Sequence, residues 1–258
     1  RMVETAVVEQ MGEWITEHER LAPVEILHTP AGETVIDFGQ NMTGYVEVRV
    51  KGERGDRIVL HHAEVLDREG NFYTENYRAA RNENVFVLSG GEDVFKPLYC
   101  FQGFRYVRLK EYPLETVDLN AFRAVVVHSE MKRTGNFTCG NEKVNQLYHN
   151  IIWGQKGNYL DIPTDCPQRD ERMGWTGDAQ VFAPTALYLA DQQPFYRKFA
   201  YDMAQEAAKH DGGAPLVAPS FMLDGPGCAV WGDAICFIPW QSYLFSGDAS
   251  VLAEHYDT

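Results

Sequence analysis

Residues 161–180 read DIPTDCPQRDERMGWTGDAQ and contain five carboxylic acids, two arginines, one tryptophan and one cysteine. Carboxyl groups held close together raise one another's pKa, because the second ionisation works against the first charge. A carboxyl kept protonated near neutral pH can act as a general acid. Arg169 and Arg172 would offset part of this effect and keep the remaining aspartates ionised. Trp175 offers an aromatic face suited to the apolar side of a sugar ring, and carboxylates accept paired hydrogen bonds from sugar hydroxyls. Asp165, Asp170, Glu171 and Asp178 thus combine proton-transfer chemistry with the means to hold a sugar.

By composition alone the stretch reads equally well as a solvated acidic surface, since charged residues are mostly exposed. A calcium loop needs oxygens in a regular short register, which is missing here. Cys166 has no histidine beside it in the stretch and reads as a packed thiol rather than a nucleophile. Trp175, taken singly, reads more often as core than as a ligand platform.

The elements that must position these residues fall into two halves. Residues 24–128 contain short runs rich in Val, Ile, Tyr and Phe, such as VEILHT, GYVEVRVKG and FRYVRLKEY, separated by glycine turns. Val46, Val48 and Val50 alternate with Tyr45, Glu47 and Arg49, the period of a half-buried strand. Many short strands of this kind suggest an antiparallel β-sandwich.

Past residue 133 the period becomes helical. Asn141 can cap a helix striped by Val144, Leu147, Tyr148, Ile151 and Ile152, which ends near Gly157. Further helical patterns run from about Ala179 to Ala190, from Asp191 to Gly212, from Ala234 to Phe245, and through ASVLAEHY. Strands come first and helices follow, which argues for two domains, 1–132 and 133–258, joined through HSEMKRTGNF. The segment between the first two helices is a loop of about twenty residues, and ordered loops that long tend to be functional.

The net charge of −14 argues against a nucleic-acid partner, which needs a basic footprint. No run is apolar enough to suggest a membrane span. Five widely spaced cysteines without a CxxC pair point to neither a zinc site nor a disulfide framework, and to a reducing, cytoplasmic compartment.

PTDCPQRDERMGWTGDAQ, residues 163–180, resembles the signature of the bacterial α-L-rhamnosidase family of glycoside hydrolases. VIDFGQNMTGYVEVRVKG, HAEVLDREGNFYTENYR and FQGFRYVRL are similar to the β-sandwich that precedes that family's catalytic domain. The stretch from Gly135 to Asp178 resembles the opening of its (α/α)6 barrel, and WGDAICFIPW a later barrel segment. The resemblance implies hydrolysis of terminal α-L-rhamnosides with inversion, without metal or organic cofactor. It implies Glu171 as the general acid. Asp165 and Asp178 would bind rhamnose hydroxyls and help set the acid's charge state. Arg169 and Asp170 would line the sugar site, and Trp175 and Trp231 would be its aromatic walls.

The chain reaches only the first helices of such a barrel. Glu206 and Glu254 are the only glutamates after Glu171, and both read as solvent-facing, so the general base is expected beyond residue 258. Should a base lie within the chain, Asp211, Asp224 and Asp233 would be the first candidates. The 258 residues alone are expected to be inactive and to self-associate, as a homo-oligomer or with a further segment. Another (α/α)6 glycosidase with a different glycone, or a module that binds sugar without cleaving it, are the competing readings.

Overall fold

The structure, a computed structural model, describes residues 8–223 and 225–257. The chain forms two compact units, one built on a sheet and one on helices.

The first unit comprises residues 15–129 and 137–173. Its strands are β1 (Ile15–Leu21), β2 (Glu25–His28), β3 (Thr34–Lys51), β4 (Arg57–Ala63), β5 (Glu83–Val87), β6 (Glu92–Phe95), β7 (Gln102–Glu111) and β8 (Phe122–Ser129). All pair antiparallel, in the order β1-β8-β3-β7-β4-β5, with β2 and β6 also on β3. The long β3 holds the sheet together. Its first half pairs with β2 and β7, its second half with β8 and β6, and its register to β7 slips between Asp37 and Met42. Such a slip bends a strand and tightens its twist, which curls the sheet around one core in the manner of a sandwich. Val46, Val48 and Val50 point into that core with Ile36, Phe104 and Phe122, as the alternation predicts.

The opposite face carries Tyr45, Val125 and Val127, and Leu160 packs on it. Leu160 follows α1 (Glu142–Asn158), whose N-terminus is capped as expected, with Asn141 Oδ1 accepting the Lys143 N–H at 3.0 Å. The C-terminal end of α1 lies on the sheet: Thr43 Oγ1 donates to the Gly157 carbonyl at 2.9 Å, and Trp153 packs against the core. In this unit α1 therefore belongs with the strands, and the spatial grouping differs from a cut at residue 132. The stripe predicted for α1 also divides differently. Val144 and Leu147 are exposed, at 39% and 57%, while Gln155 and Gly157 are buried.

The second unit comprises the described residues up to Trp14, then 130–136 and 174–257. It holds α2 (Thr176–Leu189), α3 (Gln193–Ala208), α4 (Ala234–Ser246) and α5 (Ser250–Glu254). Helix α4 packs against the other three. Ala179, Ala183 and Ala186 are buried along α2, small residues that let a neighbouring helix approach closely. Phe195, Phe199 and Met203 form the buried stripe of α3, as their spacing predicts. The two-residue strands Lys132–Arg133 and Ala190–Asp191 pair antiparallel, so part of the predicted linker is tied to the end of α2.

Candidate active site

Sequence reasoning singled out seven residues, and each unit holds some of them. Asp165, Arg169, Asp170 and Glu171 lie in the sheet unit; Trp175, Asp178 and Trp231 lie in the helical unit.

In the sheet unit the loop after α1 begins with a short ladder, Tyr159–Leu160 against Ile162–Pro163. It closes where the Asp165 N–H donates to the Met173 carbonyl at 3.0 Å and the Met173 N–H donates to Asp165 Oδ1 at 2.8 Å. Within that closure, Arg169 N–H donates to the Cys166 carbonyl, a turn that carries Arg169 back over the loop. Arg169 then grips Glu171 through Nη2 and Nε, at 2.6 and 3.0 Å from Oε2. The same oxygen receives a third donor, Nη2 of Arg78, at 2.7 Å. Asp170 is exposed, with Oδ1 3.8 Å from Arg78 Nε. The Glu171 side chain is only 15% exposed.

The loop rests on the sheet at two points. Arg172 Nη2 donates to the Phe101 carbonyl at 2.9 Å, its guanidinium 4.1 Å from the Phe101 ring centre. Gly103 in β7 faces Gln168 so closely that a Cβ there would stand 2.8 Å from Gln168 Cβ and 3.0 Å from its Cα.

These contacts divide the charge. Burial pushes the Asp165 carboxyl above the ordinary carboxylate range, and the hydrogen-bonded Glu171 carboxylate adds to the rise, against hydrogen bonds from Cys166 and Met173. Burial also pushes Glu171 up, but hydrogen bonds from Arg169, Arg78 and Asp165 outweigh it and hold Glu171 below that range. Of the two carboxyls, Asp165 therefore holds a proton more tightly than an ordinary aspartate and Glu171 less tightly than an ordinary glutamate. The sequence predicts that crowding raises the acid's pKa, with Arg169 and Arg172 offsetting part of the effect; instead Arg169 and Arg78 outweigh it at Glu171, and Arg172 is turned to the Phe101 carbonyl. Burial and the neighbouring Asp165 push the Cys166 thiol up to about 12, which makes it a packed, unreactive thiol as expected.

Asp165, Cys166 and Glu171 offer ligand atoms within 4.8 Å of one another. The set does not fit a divalent cation. Two arginines already hold the Glu171 carboxylate, and the thiol keeps its proton.

In the helical unit, Trp175 leads into α2 and its backbone pairs with Val217. Asp178 is exposed in the first turn of α2, where the helix dipole favours a negative charge. The Trp231 ring lies on Gly177, where a Cβ would come within 3.0 Å of Cδ1 and Cγ. Its indole N–H is buried and has no hydrogen-bond partner among the described residues.

Of the acidic residues weighed as a base, Glu206, Glu254 and Asp233 have partners of their own. Glu206 is 3% exposed and holds Lys209 Nζ at 2.7 Å, which overturns its solvent-facing reading. The reason is spacing: position 206 is one helical step beyond Met203 and continues the buried stripe of α3. Glu254 is exposed and pairs with Arg197. Asp233 accepts the Val230 N–H at 3.0 Å, Asp211 is exposed after α3, and Asp224 lies outside the described residues.

Arg78 is the residue that sequence reasoning missed. It ends one of the motifs similar to the sandwich domain, but it is 93 residues from Glu171 and nothing local marks it.

Residues 27–128 match the bacterial alpha-L-rhamnosidase concanavalin-like domain, and residues 132–258 match the bacterial alpha-L-rhamnosidase 6 hairpin glycosidase domain. An alpha-L-rhamnosidase of Formosa agariphila is 42% identical over 229 residues, covering 88% of this chain and 25% of that protein. The crystal structure of Streptomyces avermitilis alpha-L-rhamnosidase complexed with L-rhamnose superposes with a TM-score of 0.92 at 39% identity, over 97% of this chain and 24% of that one. The alpha-L-rhamnosidase from Dictyoglumus thermophilum gives a TM-score of 0.91 at 38% identity, over 96% of this chain and 28% of that one. The chain thus spans about a quarter of the length of these relatives. Both halves match, in chain order, the two domains of one family, with the loop signature inside the match: the chain belongs to the bacterial alpha-L-rhamnosidase family.

Proposed function

We propose that the full-length protein removes terminal α-L-rhamnose from rhamnosides by a single, inverting displacement. A base takes a proton from water, the water oxygen attacks the anomeric carbon, and the bond to the leaving oxygen breaks on the opposite face. Glu171 delivers a proton to that leaving oxygen and ends as a carboxylate. Asp165 and Asp178 receive rhamnose hydroxyls, Arg169 and Asp170 line the sugar site, and Trp175 and Trp231 serve as its aromatic walls.

The observation that carries this reading is the Asp165–Glu171 pair. The two carboxyls are neighbours, and their surroundings push their proton affinities apart, Asp165 up and Glu171 down. Glu171 acts as the donor from its protonated form, which the two guanidinium groups disfavour. The guanidinium groups of Arg169 and Arg78 then stabilise the carboxylate left behind. An inverting pair stands roughly 6.5–9.5 Å apart so that water fits between acid and base. Since Glu206 and Glu254 are engaged in ion pairs, we place the base in the part of the relatives' length that this chain does not span.

The two guanidinium groups that hold the Glu171 carboxylate also support a second reading, a site that holds sugar hydroxyls without cleaving the bond. The two are separated by release of p-nitrophenol from p-nitrophenyl α-L-rhamnoside by the full-length protein, with the α-L-mannoside as control. NMR of the first-formed sugar reads the anomeric outcome. Turnover of the rhamnoside to β-L-rhamnose supports the proposal. Binding without turnover supports the second reading, and preference for the mannoside overturns the glycone assignment.

We take 1–132 and 133–258 as the two inherited modules, on the support of family matches that meet between residues 128 and 132. Among the described residues no helix is long and apolar enough to cross a membrane. A cytoplasmic location is proposed on the five free thiols.

A further inference from the structure

The segment joining β4 to β5 reaches the acidic loop. Its residue Tyr77 is buried and donates its hydroxyl hydrogen to the Gly103 carbonyl at 2.7 Å, beside the point where Gly103 meets Gln168. The next residue, Arg78, has φ 55° and ψ −120°. This is the first central position of a type II′ turn, a conformation that suits glycine and costs a residue with a Cβ. Non-glycine residues persist in such regions where their surroundings hold them, and they gather at functional sites. The Arg78 guanidinium spans the two acidic residues of the loop tip, with Nη2 2.7 Å from Glu171 Oε2 and Nε 3.8 Å from Asp170 Oδ1.

We propose that Arg78, supplied by the β4–β5 connection of the sheet, is a positioning residue for Glu171, fixing the orientation of the proton donor. This rests on the reading of Glu171 as the general acid. An ordinary surface ion pair contributes little and is screened by salt. This pair differs from one in three respects. Its acceptor is largely out of solvent, its acceptor oxygen is shared with Arg169, and its donor comes from a strained backbone anchored by a buried tyrosine. The sheet is then more than a platform for the catalytic loop, because it contributes part of the machinery.

The groups around Glu171 are the cations Arg78 and Arg169 and the acidic Asp165 and Cys166, with Asp170 next in the chain. Each cation favours the ionised form. A general acid works from its protonated form, so the alkaline limb of kcat/KM follows its proton affinity. Loss of Arg78 therefore moves that limb to higher pH. It also makes Glu171 a weaker acid, which matters most when the leaving group is poor.

The test uses the full-length protein with Arg78→Gly, Arg78→Lys and Glu171→Gln. Each is assayed against pH on p-nitrophenyl α-L-rhamnoside and on a rhamnosyl disaccharide. Arg78→Gly should move the alkaline limb up by about one pH unit. It should lose more rate on the disaccharide than on the p-nitrophenyl substrate. Its Tm should not fall, because glycine fits the backbone there. Arg78→Lys keeps the charge and should hold the limb near its original position. Should the glycine variant not fold, Arg78→Asn, which tolerates positive φ, takes its place. An unmoved limb in a folded variant, or a change confined to KM on both substrates, overturns the proposal. Glu171→Gln keeps the two readings apart. Equal losses on both substrates in that variant defeat the acid assignment itself. Unequal losses there, with an unmoved limb at Arg78→Gly, defeat the role of Arg78 alone.

Discussion

Asp165 and Met173 clasp each other across the acidic loop, each backbone N–H donating to the other residue, at 3.0 and 2.8 Å. One of these bonds uses the Asp165 carboxyl, so that side chain both closes the loop and is a titrating neighbour of Glu171. Asparagine can keep the first task but not the second. Asp165→Asn should leave Tm nearly unchanged, while Asp165→Ala loses the acceptor and costs about 1 kcal/mol. An asparagine amide also donates permanently to Glu171. The alkaline limb of kcat/KM should therefore move to lower pH, opposite to the effect of losing Arg78. A limb that stays in place would show that the two carboxyls do not titrate together.

Gly103 sets the distance between β7 and the loop. An alanine Cβ there meets Gln168 Cβ and Cα at 2.8 and 3.0 Å, and the backbone atom has little room to yield. Gly103→Ala should displace the loop three residues before Glu171. A shift of about 1 Å in a reacting group costs on the order of 10²-fold in rate. The expected result is a kcat loss of that size with most of the fold's stability kept. A variant with wild-type kcat would mean that the loop is positioned by its own closure alone.

Much of this was readable beforehand, and the failures have a common physical cause. The alternation of Val46, Val48 and Val50, the Asn141 cap and the α3 stripe are local patterns, and local sequence determines them. The loop signature likewise holds Asp165, Arg169 and Glu171 within seven consecutive residues. What escaped depends on partners far away in the chain. The second guanidinium on Glu171 comes from Arg78, 93 residues away, and no local pattern joins the two. The α1 stripe marks a helix, but it cannot say which of Val144, Leu147 and Ile151 will be covered and which left exposed. A charged side chain at the edge of a buried stripe, such as Glu206, looks the same from sequence whether or not a lysine pairs with it.

The sheet carries two buried neutral histidines that give it a pH dependence. His62 donates from Nδ1 to the Asn82 carbonyl at 2.8 Å, edge-on to Phe104, and burial pushes its pKa down to about 4. His128 stacks on His18 at 3.6 Å and donates from Nδ1 to the Ser129 carbonyl, and burial pushes it down to about 4 as well. Both values lie below the ordinary 6.5, so the unfolded chain takes up protons that the folded sheet does not. Their contribution to stability is complete above pH 6.5 and is lost as pH falls from there towards 4. The loss amounts to at most about 3 kcal/mol per histidine. Amide-exchange protection of β4 and β8, corrected for intrinsic rates, should fall between pH 7 and pH 5, and His62→Leu should flatten the slope. Equal protection at the two pH values would show that one or both rings find a proton-accepting partner.

The last prediction concerns the outer faces of α2 and α4. Val181 and Tyr188 are each 73% exposed on α2, while Phe237, Trp240 and Leu244 are 48%, 46% and 55% exposed on α4. The spacings are one helical stripe apiece, the arrangement of a face that packs. The two helices already pack against each other, and Tyr188 meets Phe245 edge-on at 4.7 Å while most of its surface stays open, so Val181 and the α4 stripe are additional to the contact the helices share. Soluble monomers seldom leave such apolar surface open. The 258 residues purified alone should therefore associate, with a mass by light scattering that rises with concentration. Phe237→Glu combined with Leu244→Lys should lower that mass without unfolding α4, because both side chains already reach solvent. In the full-length protein, where we expect further chain to cover these stripes, the same pair should instead lower Tm. A clean monomer of the 258 residues at every concentration would refute the first claim, and an unchanged Tm in the full-length variant would refute the second.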